Sequence, residues 1–509
     1  MIQSENNTRI AKNTLVLYLR MLVSMPIMLY TSRVVLNTLG IEDYGIYNVV
    51  GGVVSLFSCL SGSMVSATQR FMTFEIGRGD NKELNSVFSC SLLVHLIISL
   101  LIIVVSEPIG LWFITHKMVI PPERLYAACW VFHLSVLALF GDLLYIPYNA
   151  LVVSYERMKA FAYISIVNVS LKLLVALLLT YSPMDKLVFY ASLMSAISFL
   201  SGIIYWRYCY DNFEVSRFHY SSVYTALLKR FWTFASYSFI GDLAIICYTQ
   251  GTNILLNLFF GPVVNAARGI SVQVQGAISS FSGNFQMALN PQITKSYAQG
   301  DLLYMQTLVC YSSKYSFYLL FLFSFPIMLE THLILKCWLG KVPEYSVAFV
   351  RLMLCISIVM AMANPITRSV HSTGNIKSYQ LFVGGGHLLI LPISYGILLL
   401  GLSPQSVFVV ALIVFLVIFM IRLYFLKSVI HIKYRTYFNK VIYPIIKVLL
   451  CSIFLPLLVI KLCPASWYRI IYVIFVFVVL YLFAVYRLGM DCDERSYLKD
   501  RIIQKINNK

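Results

Sequence analysis

The stretch GPVVNAARGISVQVQGAISSFSGNFQ, residues 261–286, is the part of the sequence that best indicates the fold. It lies among apolar segments long enough to span a bilayer, yet it carries polar residues at helical spacing. At about 100° per residue, these polar residues share one face of a helix. They are Arg268, Ser271, Gln275, Ser279, Ser282 and Gln286. Because lipid cannot solvate such a face, we expect it to line a polar cavity.

The composition of the whole chain is that of a membrane protein. Of its 509 residues, 59% are hydrophobic and only 12% are charged, against about 25% charged in soluble domains. We therefore predict an all-α polytopic membrane protein. The formal net charge of +18 is what a membrane protein with basic cytoplasmic loops would carry, because Lys and Arg in short loops keep those loops on the cytoplasmic side. We therefore predict no nucleic-acid partner. The eleven cysteines form no CxxC pair and no His/Cys cluster, so we predict no metal site and no cofactor.

Hydropathy divides the chain into about fourteen segments, each near the length of about 20 residues that a span needs. They start near Asn13, Tyr44, Asn85, Leu125, Phe161, Leu187, Phe231, Val263, Met305, Val347, Tyr379, Pro404, Val441 and Trp467. The loops alternate between strongly and weakly basic, which predicts that both termini are cytoplasmic. Lys314 lies near an estimated span end, and we expect it at the membrane interface.

An internal repeat is visible when the chain is displaced by 221 residues, which brings Gly40 onto Gly261 and Gly79-Asp80 onto Gly300-Asp301. Six spans per copy would relate the copies by an axis along the membrane normal. We predict an N-terminal six-helix lobe (1–206), a cytoplasmic linker (207–230), a C-terminal six-helix lobe (231–426) and two additional helices with a basic cytoplasmic tail (427–509). In the first copy, the face matching the polar stripe is mostly apolar.

Several stretches resemble a known family. They are LGIEDYGIYNVVGG (39–52), SATQRFMTFEIGRGD (66–80), IPYNALVVSYERMKAFAYISI (146–166), FGPVVNAARGISVQV (260–274), NPQITKSYAQGD (290–301) and NPITRSVHSTGNIKSYQ (364–380). Together they resemble the Wzx-type polysaccharide-unit flippases of the multidrug/oligosaccharidyl-lipid/polysaccharide exporter superfamily. The resemblance covers the first twelve predicted spans.

The resemblance implies a carrier and no enzyme. The expected substrate is an undecaprenyl-pyrophosphate-linked oligosaccharide, moved from the cytoplasmic to the periplasmic leaflet of the bacterial inner membrane by alternating access. It also implies a central cavity with positive charges, surrounding membrane lipids, coupling to protons or sodium, and a polysaccharide polymerase with its chain-length machinery as partners. The short outward loops leave little room for a lumenal catalytic domain.

Ionisable side chains inside the spans are the candidate site residues, since each costs about 2.5–3.5 kcal/mol at a helix centre unless it finds a partner or a wet cavity. We predict a pyrophosphate path of Arg20, Arg33, Lys172 and Arg268 between the lobes, because a guanidinium can bind phosphate oxygens bidentately. The alternatives are snorkelling for Arg20 and for Arg268, interfacial anchoring for Arg33 and a structural ion pair for Lys172. The polar residues of 271–286 would line the same cavity.

Carboxylates inside the spans are candidates for ion coupling. Asp242 is predicted to be either a proton or sodium site or a structural counter-ion, and Asp142 is a second candidate. Three other functions remain open: a cation-coupled multidrug exporter, a peptidoglycan-precursor flippase, and a membrane polymerase or glycosyltransferase of the same pathway. A cavity lined by Arg and Lys side chains disfavours the binding of cationic drugs and favours the binding of an anionic lipid headgroup.

Overall fold

A computed structural model of the chain describes residues 2–57, 59–116, 118, 120–182, 185–464, 466–492 and 494–496. The described residues form helices and no strand. The α-helices are α1 (Ile2–Phe57), α2 (Cys59–Arg78), α3 (Asn81–His116), α4 (Pro122–Leu144), α5 (Ile146–Ser154), α6 (Met158–Leu178), α7 (Lys186–Asn212), α8 (Thr225–Phe260), α9 (Pro262–Ala298), α10 (Leu302–Leu329), α11 (Thr331–Leu339), α12 (Ser346–Thr373), α13 (Lys377–Leu388), α14 (Ile390–Leu399), α15 (Gln405–Ile430), α16 (Tyr434–Tyr437), α17 (Tyr443–Leu462) and α18 (Trp467–Ala484). The predicted basic tail beyond residue 496 lies outside the described residues.

Twelve helical stretches within the described residues are long and apolar enough to cross a membrane. The all-α polytopic fold predicted from the sequence is therefore confirmed. The second predicted segment corresponds to the part of α1 after Gly40 and to α2, and the eighth corresponds to α9. Both are more polar than the other twelve, and both are the second helix of a predicted repeat.

Glycines at corresponding positions of the predicted repeat adopt the same backbone conformation. Gly40 and Gly261 have φ of 81° and 77°, and Gly79 and Gly300 have φ of 75° and 76°. This left-handed region is open to glycine at no steric cost, which is why glycine so often follows the last turn of a helix. The repeated glycines therefore mark the same helix ends in both copies, and Gly40 interrupts the helical dihedrals within α1.

The chain divides into two compact units. Unit 1 comprises residues 1–243, 290–301 and 374–380, and unit 2 comprises 244–289, 302–373 and 381–509. In unit 1, α1 packs on α6, α4 on α7 and α3 on α4. Its core includes Phe88, Phe132 and Phe231, all fully buried. Unit 1 also holds the C-terminal turns of α9, so this long helix contributes to both units.

Unit 2 contains the remainder of α9 with α10 to α12 and α14 to α18. Within it, α10 and α15 both pack on α12, and α17 packs on α18. The helix α18 is joined to α10 by aromatic contacts, in which Tyr481 packs on Phe321 and Phe477 packs on Phe325. Tyr481 also donates a hydrogen bond to the carbonyl of Tyr318 at 3.0 Å. The two additional C-terminal helices are thus packed into unit 2.

Candidate functional site

Arg268 lies on α9 inside unit 2 and is only 7% exposed. One guanidinium nitrogen, Nη1, donates to the side-chain oxygen of Asn253, and the other, Nη2, donates to the carbonyl of Thr249 at 2.7 Å. Both partners are neutral, and no carboxylate forms an ion pair with Arg268 in the part of the chain that the structure describes. A buried arginine with neutral partners keeps its full positive charge available to an anion.

The other residues of the polar stripe are held by hydrogen bonds within unit 2. Ser271 donates to the carbonyl of Ala267 in the preceding turn at 2.9 Å. Ser282 donates to the carbonyl of Ser279 at 3.1 Å, and Ser279 is half-buried. Serine hydroxyls that bond back to their own helix in this way can lie against apolar surfaces. Their predicted role as cavity-lining groups stays a prediction.

The two glutamines of the stripe reach neighbouring helices. Gln275 donates to the hydroxyl of Ser357 on α12 at 2.8 Å. Gln286 donates to Ser316 on α10 at 3.0 Å and to the carbonyl of Ala361 on α12 at 2.9 Å. The polar side of α9 therefore has a packing role inside unit 2, because buried amides need such partners.

Lys172 and Asp142 line one cavity inside unit 1. The cavity has a volume of about 260 Å³ and is bounded by α1, α4, α6 and α7, with Ser135, Ser198 and Tyr47 among its walls. Ser198 hydrogen-bonds to the Asp142 carboxylate, and the charge of Lys172 acts on the same carboxylate. The sequence predicted the two residues for different roles, one for substrate and one for ion coupling. The structure brings them together as a cation and an anion facing a common space.

The two arginines of α1 differ in their surroundings. The Arg20 guanidinium lies over the ring of Phe161 on α6, 5.0 Å from its centroid, and the side chain is half-buried. A cation over an aromatic face is attracted by the ring, so Phe161 holds Arg20 against α6. Arg33 is exposed. Interfacial anchoring is therefore the interpretation that the exposure of Arg33 favours.

Asp242 lies on α8 in unit 1 opposite Gly62 of α2. An ideal Cβ at Gly62 would be 3.4 Å from a carboxylate oxygen of Asp242, an ordinary van der Waals distance, so the carboxylate lies directly against α2. Among the described residues, Asp242 forms no ion pair. The structure thus supplies no cationic partner for the counter-ion interpretation.

Sequence reasoning missed a buried carboxylate in the turn between α5 and α6. Both carboxylate oxygens of Glu156 accept from Gln292 Nε2 at 2.8 Å, and Nζ of Lys295 lies 2.5 Å from Oε1. Nε of Arg9 lies 2.8 Å from Oε2. These residues all belong to unit 1. The search for ionisable groups was confined to the predicted spans, and Glu156 lies in a loop beside Arg157 and Lys159.

Lys314 is paired inside the protein, and its place at the membrane interface stays a prediction. Its side chain is fully buried in α10, and Nζ lies 2.8 Å from Glu494 and 4.0 Å from Asp491 in the segment after α18. The rings of Tyr311 and Tyr315 lie near the ammonium group. The sequence did not predict this pairing, because the partner carboxylate lies 180 residues later in the chain and no local pattern reveals it.

Comparison with known proteins gives a consistent result. The sequence profile of a family described as "Polysaccharide biosynthesis protein" matches residues 10–297. The "Uncharacterized membrane protein EpsK" of Bacillus subtilis (strain 168) is 22% identical over 301 residues, which cover 58% of this chain and 57% of that relative. The match therefore spans little more than half of the relative.

Solved transporters share the fold. A MATE transporter in the bent conformation has a TM-score of 0.73 at 14% identity and covers 84% of this chain and 96% of its own. An outward-facing multidrug resistance MATE family transporter of the MOP superfamily has a TM-score of 0.72 at 13% identity, covering 82% and 96%. A MOP superfamily transporter from Pyrococcus furiosus has a TM-score of 0.67 at 13% identity over the same shares. The profile match covers more than half of the chain, on a transporter fold, and the chain therefore belongs to the polysaccharide biosynthesis protein family.

Proposed function

We propose that the protein is a flippase that moves an undecaprenyl-pyrophosphate-linked oligosaccharide from the cytoplasmic to the periplasmic leaflet, for the synthesis of a surface polysaccharide. The observation that carries the proposal is Arg268, a buried arginine whose described partners are neutral. A permanent positive charge inside a membrane protein is costly unless an anion uses it. The pyrophosphate of a lipid-linked sugar is such an anion, and polysaccharide biosynthesis is the activity of the family.

Further cationic groups in unit 1 support an anionic substrate. Arg20 is held over Phe161, and Lys172 faces the cavity that also holds Asp142. We propose that both belong to the pyrophosphate path with Arg268, and that Arg33 attracts the headgroup from the membrane surface. Translocation by alternating access involves no covalent step, so no catalytic residue is required.

Coupling to an ion gradient is the second part of the proposal. Asp142 shares its cavity with Lys172, and Asp242 lies against Gly62 of α2 with no ion pair among the described residues. A proton or sodium ion on either carboxylate would change the local net charge by one unit during the transport cycle. We propose a location in the bacterial inner membrane with both termini cytoplasmic, where a polysaccharide polymerase and its chain-length machinery use the exported units.

The proposal is tested by replacing Arg268 with glutamine, which keeps amide donors for Asn253 and Thr249 but removes the charge. We expect export of the glycan to fall at least tenfold in cells that contain equal amounts of the two proteins. The matched control is Arg351→Gln, since Arg351 of the same unit also donates to a carbonyl, that of Met328 at 2.8 Å, but is exposed. Unchanged export in the Arg268 variant contradicts the proposal.

The competing functions have their own readouts. Energised vesicles that extrude a cationic dye through the wild-type protein would indicate a drug exporter. Sugar transfer by the purified protein would indicate a polymerase or glycosyltransferase. Dye extrusion is not expected, because Arg268 and Lys172 repel cations. Sugar transfer is not expected, because the short outward loops predicted from the sequence leave little room for a catalytic domain.

A further inference from the structure

The Glu156 carboxylate is enclosed by hydrogen-bond donors from two distant parts of the sequence. Its side chain is 0% exposed, and it accepts from Arg9 of α1 and from Gln292 and Lys295 of α9 at 2.5–2.8 Å. All of these residues lie in unit 1. The two cations carry a charge of +2 against −1 for the single carboxylate. Four short contacts and an excess positive charge describe an anion-binding site that is filled by a group of the protein.

The backbone of Glu156 has a conformation that is unfavourable for residues other than glycine. Its φ is 58°, in the left-handed region, which residues other than glycine rarely adopt. The turn is fixed by hydrogen bonds from Glu156 N to Val153 O at 2.9 Å and from Arg157 N to Val152 O at 3.0 Å. Asn13 of α1 donates to the Glu156 carbonyl at 3.3 Å. Glycine would adopt this dihedral angle more readily than glutamate. The contacts of the carboxylate therefore explain why position 156 is a glutamate.

The donors of the site match a phosphate anion as well as they match a carboxylate. Arginine and lysine are the common phosphate ligands of proteins, and a glutamine amide adds a neutral donor. The site lies beside Arg157 and Lys159, in one of the strongly basic loops that we predict to be cytoplasmic, and the substrate of the proposed flippase would enter from that side. Arg9 is partly exposed, with 49% of its side chain accessible, so an incoming anion can reach one donor before Glu156 leaves.

We propose that this cluster is a diphosphate-binding site on the predicted cytoplasmic face, occupied in this conformation by Glu156, and that the pyrophosphate of the substrate exchanges with the carboxylate. The proposal rests on the proposed function. Gln292 and Lys295 lie in the last turns of α9, the helix that also carries Arg268. Exchange would release this end of α9 from α1 and from the turn after α5, which opens the loading side of the carrier.

The test is binding of inorganic pyrophosphate to the purified full-length protein in detergent, measured by calorimetry. Glu156→Gln removes the competing charge while keeping the shape of the side chain. We expect this variant to bind pyrophosphate at least tenfold more tightly than the wild type. Adding Lys295→Gln should abolish that gain. The matched control is Glu330→Gln, which alters a buried carboxylate of unit 2 that accepts from Arg469 at 2.6 and 2.8 Å. The control should bind like the wild type.

The outcomes separate the inference from the proposed function. Equal pyrophosphate binding by the wild type and Glu156→Gln overturns the inference, whereas the Arg268 export assay tests the function independently. If Glu156→Gln does not fold, Lys295→Gln in the wild-type background must weaken pyrophosphate binding at least fivefold, and unchanged binding then overturns the inference. Nanodiscs with and without phosphatidylglycerol identify the phosphate source. Strong competition by this lipid would assign the site to a general lipid headgroup and also overturn the inference.

Discussion

Gly77 of α2 lies where two helix backbones approach each other closely. A Cβ at this position would be 2.8 Å from the Cβ of Ala298 and 3.0 Å from the backbone of Lys295, all within unit 1. Backbone atoms cannot move aside cheaply, so overpacking costs typically about 1–3 kcal/mol. We expect Gly77→Ala to lower the melting temperature in detergent by a few degrees, at about 2–4 °C per kcal/mol.

The matched control for Gly77 is Gly276 of α9, which has no atom within 4 Å of its ideal Cβ. Alanine is the better helix former, so Gly276→Ala should leave the melting temperature unchanged or raise it. Equal losses in the two variants would contradict the proposed close approach.

Asp185 precedes α7 and joins Arg124, whose Nη1 lies 2.5 Å away, while Arg124 also binds Asp43. Partial burial raises the pKa of Asp185, but hydrogen bonds from Arg124 and from backbone amides outweigh it and leave the pKa below its usual value. A carboxyl with a depressed pKa stabilises the folded state above its unfolded pKa of about 4, and this contribution is lost as the pH falls through the lower folded value.

The Asp185→Asn substitution tests this pH dependence. Asparagine can keep the helix cap that Asp185 provides to Leu187 and Val188, so the change isolates the charge. We expect a lower melting temperature than the wild type at pH 7, and a difference that shrinks below about pH 4. Asp211→Asn, in the exposed pair with Arg207, should have no effect at either pH.

At the scale of the helix, α9 shows how a polar stripe is accommodated within a membrane protein. Gln286 is 6% exposed and is bound to Ser316 and Ala361, while Asn364 donates to its side-chain oxygen at 3.3 Å. Replacing it with leucine removes these bonds and leaves buried polar groups without partners. We expect Gln286→Leu to destabilise the protein by about 1–3 kcal/mol in thermal unfolding.

Gln273 on the same helix is exposed and gives the matched control. Gln273→Leu should change the melting temperature little. If both substitutions had the same effect, the contacts of Gln286 would not be responsible for the stability of α9.

Two ion pairs connect α10 and the residue after it to the start of α18 and the segment after it. Lys314 pairs with Glu494, and Glu330 pairs with Arg469. Removing one partner of a buried pair leaves an uncompensated charge and typically costs about 3–5 kcal/mol, whereas replacing both by apolar residues is often neutral. We therefore expect Lys314→Met and Glu494→Met to destabilise the protein separately, and the double variant to recover most of the loss. Additive losses in a thermal-unfolding cycle would contradict the pairing.

For the whole molecule, the sequence predicted the fold better than the site. Apolar segments of span length and the glycines at 40 and 261 are local signals, and they suffice for an all-α membrane fold with repeated helix ends. Hydropathy placed α9 as the eighth predicted segment, and the spacing of its polar residues, a charge among them, set one face of that helix apart. Arg268 was accessible to sequence reasoning for the same reason, since a charge within an apolar segment is conspicuous.

The residues that sequence reasoning missed depend on partners far along the chain. Lys295 meets Glu156 across 139 residues, and Lys314 meets Glu494 across 180. Nothing near either residue indicates the partner. Lys172 and Asp142 were both found, but their common cavity forms only when α4 and α6 are both in place.

The orientation of the chain is a prediction at this scale. We expect single cysteines introduced at Ser222 and Lys341, in a variant without the native cysteines, to react differently with a membrane-impermeant maleimide. Ser222 lies in the strongly basic linker and should be modified only after the cells are permeabilised. Lys341 should react in intact cells. The reverse pattern would place the basic loops outside.

The buried Lys314 also has an evolutionary consequence. A gene that lost the coding region for the last two helices would leave this lysine in apolar surroundings without Glu494, so the shortened protein would be selected against unless position 314 changed as well. Gain of the two helices and gain of the lysine are therefore coupled events. Relatives that end after the twelfth span should carry an uncharged residue at the corresponding position, and sequencing such relatives would show it.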